Sequence, residues 1–146
     1  MAMADDAPGS AVVQNQSSAS CTNASPSHAT LKGMVVGFSQ SENEQNPFRA
    51  AETASVKAAA KQAGVARLLY TNANDSQAKQ VADVQSMISQ GAKAIIVAPL
   101  NATGLQPALE QAAEKNIPVV TIDRATAGTP CRDFITFLGS DFTVQG

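Results

Sequence analysis

The sequence predicts an α/β protein built on a doubly wound parallel sheet. Short apolar runs recur from Leu31 onward, and alanine-rich stretches with apolar residues at helical spacing lie between them. Gly64, Gly91 and Asn116 stand where successive helical stretches should stop. Strand and helix alternating at about thirty residues per unit is the pattern of βαβ crossovers, which place parallel strands in one sheet with helices on both faces. Such crossovers are right-handed, so the hand of the fold follows.

Each element has its own justification. "GMVVGFS" is nearly continuously apolar, as a strand covered on both faces must be. Asn46 suits an N-cap and Pro47 the first helical position, where a missing N–H costs nothing. The helix "FRAAETASVKAAAKQA" then ends at Gly64, a natural residue just past a helix end. "RLLYTNA" is the second strand; its Tyr70, like Phe38 of the first, reads as core. "SQAKQVADVQSMISQ" follows as a helix, with Val81, Val84 and Ile88 on one face and Gly91 as its stop. "AKAIIVAP" is the third strand. "TGLQPALEQAAEKN" is the third helix, with Leu105, Leu109, Ala112 and Ala113 on one face, Thr103 as its cap and Asn116 as its end. "IPVVTID" and "FITFLGSD" complete the strands. The closing "SDFTVQG" has the form of a turn into a further helix, so the chain is expected to be the front of a longer protein.

The domain so defined covers residues 31–146. Residues 1–30, "DDAPGSAVVQNQSSASCTNASPSHAT" among them, are rich in Ser, Ala, Asn and Gln with no apolar period. They are expected to form a disordered polar tail, since such a composition buries too little surface to offset its ordering entropy. Ten basic against twelve acidic residues give a net charge of −2, with no Lys/Arg cluster to replace counterions on a phosphate backbone, so no nucleic-acid partner is expected. No run of eighteen apolar residues appears, so no membrane insertion is expected, and the N-terminus lacks the order of a signal peptide. The single histidine, His28, falls in the tail and there is no CxxC, so neither a metal nor a cofactor is expected.

Chemistry in an open α/β sheet belongs beyond the carboxyl ends of the strands. Those ends carry Ser39, Gln40 and Ser41 leading to Asn46, Phe48 and Arg49; then Asn72, Asn74 and Asp75; then Asn101 and Thr103; then Asp123 and Arg124; then Ser140 and Asp141. No GxGxxG, GxxxxGK[ST] or GxSxG follows a strand, and the only histidine, His28, lies in the tail away from this edge, so neither a Ser-His or Cys-His nucleophile pair nor an enzyme is expected. The edge suits a polyhydroxyl compound. Asp123 can accept two hydroxyl hydrogens, Arg49 and Arg124 donate in rigid forks, and Phe48 can cover the C–H face of a ring. Each residue also has a plainer reading. Asp123 and Arg124 form an ordinary surface pair, Phe48 a hydrophobic staple at the helix start, and Asn46 a cap.

As a set, "GFSQ…NPFRAAE", "NDSQAKQVADVQSMISQGAKAIIVAPLNATG", "NIPVVTIDR" and "LGSD" resemble the N-terminal lobe of ribose-type periplasmic sugar-binding proteins, the solute receptors of ABC importers. The resemblance spans Leu31–Gly146; "GFSQ" and "RAAET" lean toward the galactofuranose-binding branch and "NPF" toward the ribose-binding branch. It implies the type I periplasmic binding protein fold, with this chain holding one lobe and the second absent. It implies that Asn46, Phe48 and Arg49 form one wall of a monosaccharide cleft, that Asp123 and Arg124 grip ring hydroxyls, and that Gln40 is a further contact. It implies two lobes closing on the sugar, a membrane permease as partner, and a periplasmic or extracellular location, with a cell-surface tether as a variant. In such an oxidising compartment Cys21 and Cys131 either remain separate thiols or form a bridge. Two rivals share the fold: a sugar-sensing receptor, and an effector domain of the lactose-repressor type, which would need a DNA-binding helix-turn-helix ahead of Leu31 where the polar tail stands.

Overall fold

The computed structural model of the chain describes residues 30–139. The tail, with Cys21 and His28, and the end with Ser140 and Asp141 lie outside the described residues. The elements run β1 (Val35–Gln40), α1 (Pro47–Gln62), β2 (Arg67–Asn72), α2 (Gln77–Ser89), β3 (Ala94–Val97), α3 (Gln106–Glu114), β4 (Val119–Ile122) and β5 (Thr136–Leu138). The strands form one sheet in the order β2-β1-β3-β4-β5, each neighbouring pair parallel. The α/β class and the alternation of elements are as the sequence predicts.

Helices lie on both faces, and β1 shows how. Residues along a strand alternate between faces. Gly37 meets α2: a Cβ there would stand 2.6 Å from Met87 Sδ, so the glycine is what lets this helix seat so closely. Gln40, of opposite parity, bonds Glu52 and Thr53 of α1. The apolar core fills the α2–α3 side, where Val84, Met87 and Ile88 meet Ile95, Val97, Leu105, Leu109 and Val119. Of the predicted faces, Val84, Ile88, Leu105, Leu109 and Ala112 lie within it, Val81 packs against it half-buried, and Ala113 stays half-buried outside it.

The predicted start of α1 and the predicted helix stops also hold. Asn46 is extended and its side chain accepts from Phe48 N at 3.0 Å, with Pro47 opening α1. Ser76 caps α2 through Lys79 N at 3.2 Å. Gly64 and Gly91 take φ of +74° and +86° just past their helices, and Asn116 takes +55°.

Several expectations need correction. Thr103 does not cap α3, whose cap position is taken by Leu105 with no side-chain cap bond. Instead Asn101 Oδ1 accepts from Thr103 N (3.3 Å) and Gly104 N (2.8 Å), folding the approach into a turn of its own. β4 is shorter than "IPVVTID" because Pro118 has no N–H to give the ladder and Asp123 turns to φ +65°. β5 starts later than "FITFLGSD", at Thr136: Phe134 pairs only with Pro130, through Cys131 N donating to its carbonyl at 2.8 Å. Tyr70 is half-buried rather than core, with its hydroxyl hydrogen-bonded to Glu44 and Lys57 Nζ 4.2 Å above its ring. Burial and the Glu44 carboxylate together push that phenol above its usual range.

Candidate functional site

The strand order reverses direction at β1, whose two neighbours are β2 and β3. At such a switch point the loops leaving adjacent strands diverge to opposite faces and open a crevice at the carboxyl ends. The loop after β1 carries Glu42, the first turn of α1 carries Phe48 and Arg49, and the end of β4 carries Asp123 and Arg124.

Arg49 is the centre. Its side chain is 3% exposed, and its Nη1 lies 2.8 Å from Asp123 Oδ2 and 3.1 Å from Glu52 Oε2, with Nε 3.3 Å from Glu42 Oε2. A guanidinium withdrawn from water this far must be paired, and three carboxylates surround it. Burial alone would ease its proton off; the bonds to Glu42, Asp123 and Glu52 outweigh burial and hold it more firmly charged than usual.

Asp123 reaches Arg49 because of its backbone. At φ +65° it occupies the left-handed region, where Asp and Asn are tolerated more readily than most residues. Its N–H donates to Leu138 O at 2.9 Å, which ties the turn to the end of β5.

Arg124 is the more open of the pair, its side chain 38% exposed. Nη1 donates to Leu100 O at 2.9 Å, Nη2 to Glu42 Oε1 at 2.7 Å, and Nε lies 3.8 Å from Asp123 Oδ2. Glu42 thus bridges both arginines. Burial pushes its carboxyl up, but the hydrogen bonds and charges of Arg49 and Arg124 prevail and hold it below the usual range. Across the mouth, three carboxylates against two guanidiniums leave one net negative charge.

The six residues expected to meet a ligand divide into three groups. Arg49, Asp123 and Arg124 come together as a continuous charged floor, and the plain surface-pair reading of Asp123 and Arg124 does not describe it. Phe48 is 55% exposed with its ring centroid 5.2 Å from Arg49 Cζ, so it is not a core staple but an open aromatic beside the guanidinium. Asn46 caps α1 through its side chain at the same rim. In place of the ligand contact expected of it, Gln40 is fully buried: Nε2 donates to Glu52 Oε2 (2.9 Å) and Thr53 Oγ1 (3.2 Å), and Oε1 accepts from Ser41 N (3.0 Å). It supports Glu52, which in turn supports Arg49. Glu42 and Glu52 were not foreseen. Glu52 stands three residues after Arg49 on one helix face, a spacing that could have found it; Glu42 sits in an irregular loop whose sequence carries no such signal. Of the cysteine pair, Cys131 is disulfide-bonded and Cys21 lies outside the described residues.

The model of the periplasmic binding protein domain family matches residues 36–146, and the chain belongs to that family. It is 34% identical over 120 residues to the galactofuranose-binding protein YtfQ of Escherichia coli (strain K12), which covers 82% of this chain and 37% of that protein. It is also 34% identical over 103 residues to the ribose import binding protein RbsB of Bacillus subtilis (strain 168), covering 70% of this chain and 33% of the relative. Among solved structures, the periplasmic binding protein component of the arabinose ABC transporter from Shewanella sp. ANA-3, bound to alpha and beta-L-arabinofuranose, is 40% identical with a TM-score of 0.65, covering 70% of this chain and 33% of that one. A Mycobacterium smegmatis protein in complex with beta-D-fucofuranose is 36% identical with a TM-score of 0.69, covering 75% and 36%. The chain spans about a third of the length of these relatives. The first three are binding proteins by name, and among the described residues no helix is long and apolar enough to cross a membrane.

Proposed function

We propose that this chain supplies one wall of a monosaccharide-binding cleft in an extracytoplasmic solute receptor that delivers sugar to an ABC importer. One observation carries the reading: Arg49 and Asp123, 74 residues apart in sequence, meet at 2.8 Å at the carboxyl edge of the sheet, with Arg124 and the open ring of Phe48 beside them. Charged donors and acceptors fixed in one mouth suit vicinal hydroxyls, since a hydrogen bond to a charged group is worth roughly 1.5–3 kcal/mol against about 1 for a neutral pair. Phe48 contributes an apolar face for ring carbons. Asn46 joins this wall at its rim. The relatives named for galactofuranose, ribose and arabinofuranose support a sugar of this size.

The second wall belongs to a second lobe, closing by a hinge and thereby presenting a surface to a membrane permease. The location is the periplasm or the cell exterior. There a Cys21–Cys131 bridge would tie the tail to the segment ahead of β5.

A lobe alone makes about half of the contacts, so weak binding is expected. Titration of the 146-residue chain with D-galactose, L-arabinose and D-ribose, followed by amide NMR, should move the signals of Asn46, Phe48, Arg49, Asp123 and Arg124. The dissociation constant should be about 1 mM or weaker, which corresponds to about −4 kcal/mol. Shifts confined to other parts of the chain, or none with any of the three sugars, would refute the reading.

A further inference from the structure

We propose, resting on the sugar-wall reading, that Glu42 is a positioning residue that fixes the Arg124 guanidinium at the mouth, and that Asn72 fixes Glu42. An arginine with over a third of its side chain in solvent ordinarily samples many rotamers. Arg124 does not have that freedom. Its Nη1 is bonded to Leu100 O after β3 and its Nη2 to Glu42 Oε1 after β1. Two anchors on different loops block rotation about the Nε–Cζ bond, and only one of them is a side chain.

That side chain stands in a loop that has itself been secured. Asn72, at the end of β2, donates from Nδ2 to Glu42 O at 2.7 Å while its Oδ1 accepts from Asn74 N at 2.8 Å. Asp75 N donates to Ser41 O at 3.0 Å beside it. The backbone of Glu42 is therefore pinned to β2, and its carboxylate has only to span from there to Arg49 Nε and Arg124 Nη2. A chain of contacts runs from the rim of β2, where no ligand residue stands, to the most exposed donor of the mouth. Glu42 acts on a sugar through Arg124.

The test reads Arg124 without any sugar. In the 146-residue chain with ¹⁵N-labelled arginine, the two Nη groups of Arg124 should give separate signals, and Glu42→Ala should merge them, because it removes the only side-chain acceptor that Nη2 has among the described residues. Asn72→Asp, which keeps the acceptor for Asn74 N and removes the donor to Glu42 O, should merge them as well, and it decides the matter if Glu42→Ala does not fold. Sugar affinity should fall about tenfold in either variant, a change of about 1.4 kcal/mol. Signals that stay separate in both variants, or are merged already in the parent, overturn the proposal, as do merged signals with unchanged affinity. If the parent binds none of the three sugars, the proposed function fails while the Arg124 signals still decide whether Glu42 holds the guanidinium.

Discussion

Replacing Arg49 with alanine tests whether the floor of the mouth is a buried ion cluster or a set of surface pairs. The substitution leaves Glu42, Glu52 and Asp123, with side-chain exposures of 21, 13 and 12%, sharing only the more open Arg124, which does not reach Glu52. Removing one partner of a buried pair costs about 3–5 kcal/mol, because the charge left behind is neither solvated nor compensated. For a domain near this size, at about 4 °C per kcal/mol, the melting temperature should fall by roughly 12–20 °C at pH 7. The pH dependence supplies the sharper check. In the parent, Glu42 is held below its ordinary value of 4.5, so its contribution is present above that value and is lost as pH falls through the lowered one. In Arg49→Ala Glu42 loses the hydrogen bond and charge that do most to lower it and keeps only those of Arg124, so the variant should lose less stability than the parent as pH falls below that ordinary value. Urea unfolding across the acid range and at pH 7 measures both. A cost under about 1 kcal/mol, the range of exposed ion pairs, or parallel pH profiles for the two proteins, would refute the cluster.

Four further outcomes follow from the same geometry. Phe48→Ala should leave stability within about 0.5 kcal/mol, since the ring is exposed, yet weaken sugar binding about tenfold by calorimetry, with Phe48→Tyr retaining most of it. Asn46→Ala should cost about 1 kcal/mol in urea unfolding through loss of the α1 cap. Gly37→Ala should cost about 1–3 kcal/mol, since its methyl would drive into Met87. With one net negative charge at the mouth, D-galacturonate should bind at least about tenfold more weakly than D-galactose in low salt, and the gap should narrow as salt is added.

How much of this was legible in the sequence depends on the range of the signal. Helix starts and stops were readable because caps are local: Asn46, Pro47, Gly64, Gly91 and Asn116 each act within one turn. α3 escaped because its approach is folded by Asn101, two residues before the Thr103 that looked like a cap. The convergence of Arg49 with Asp123 was readable from topology, since parallel strands bring all their carboxyl ends to one edge. The fate of Gln40 was not. A polar residue at a strand end can face the ligand side or the helix that follows, and only packing of α1 decides, through Glu52 and Thr53. Glu42 was hidden for the opposite reason. Its loop has no period, and its place is set by Asn72 from another strand.

The places of Gln40 and Glu42 in the fold change what the two arginines mean for binding. Read from the sequence, Arg49 and Arg124 are donors awaiting a sugar. In the fold, Arg49 Nε and Nη1 face carboxylates, and both terminal nitrogens of Arg124 have protein acceptors. The carboxylates thereby offer fewer lone pairs to a ligand, but the side chains no longer need to be ordered when it arrives. An arginine carries about 2 kcal/mol of rotamer entropy, comparable to one charge-assisted hydrogen bond. Gln40 and Glu52 under Arg49, and Asn72 and Glu42 beside Arg124, remove that cost before binding begins. Affinity in this mouth should therefore respond as strongly to residues beneath the floor, the buried Gln40 among them, as to those on it.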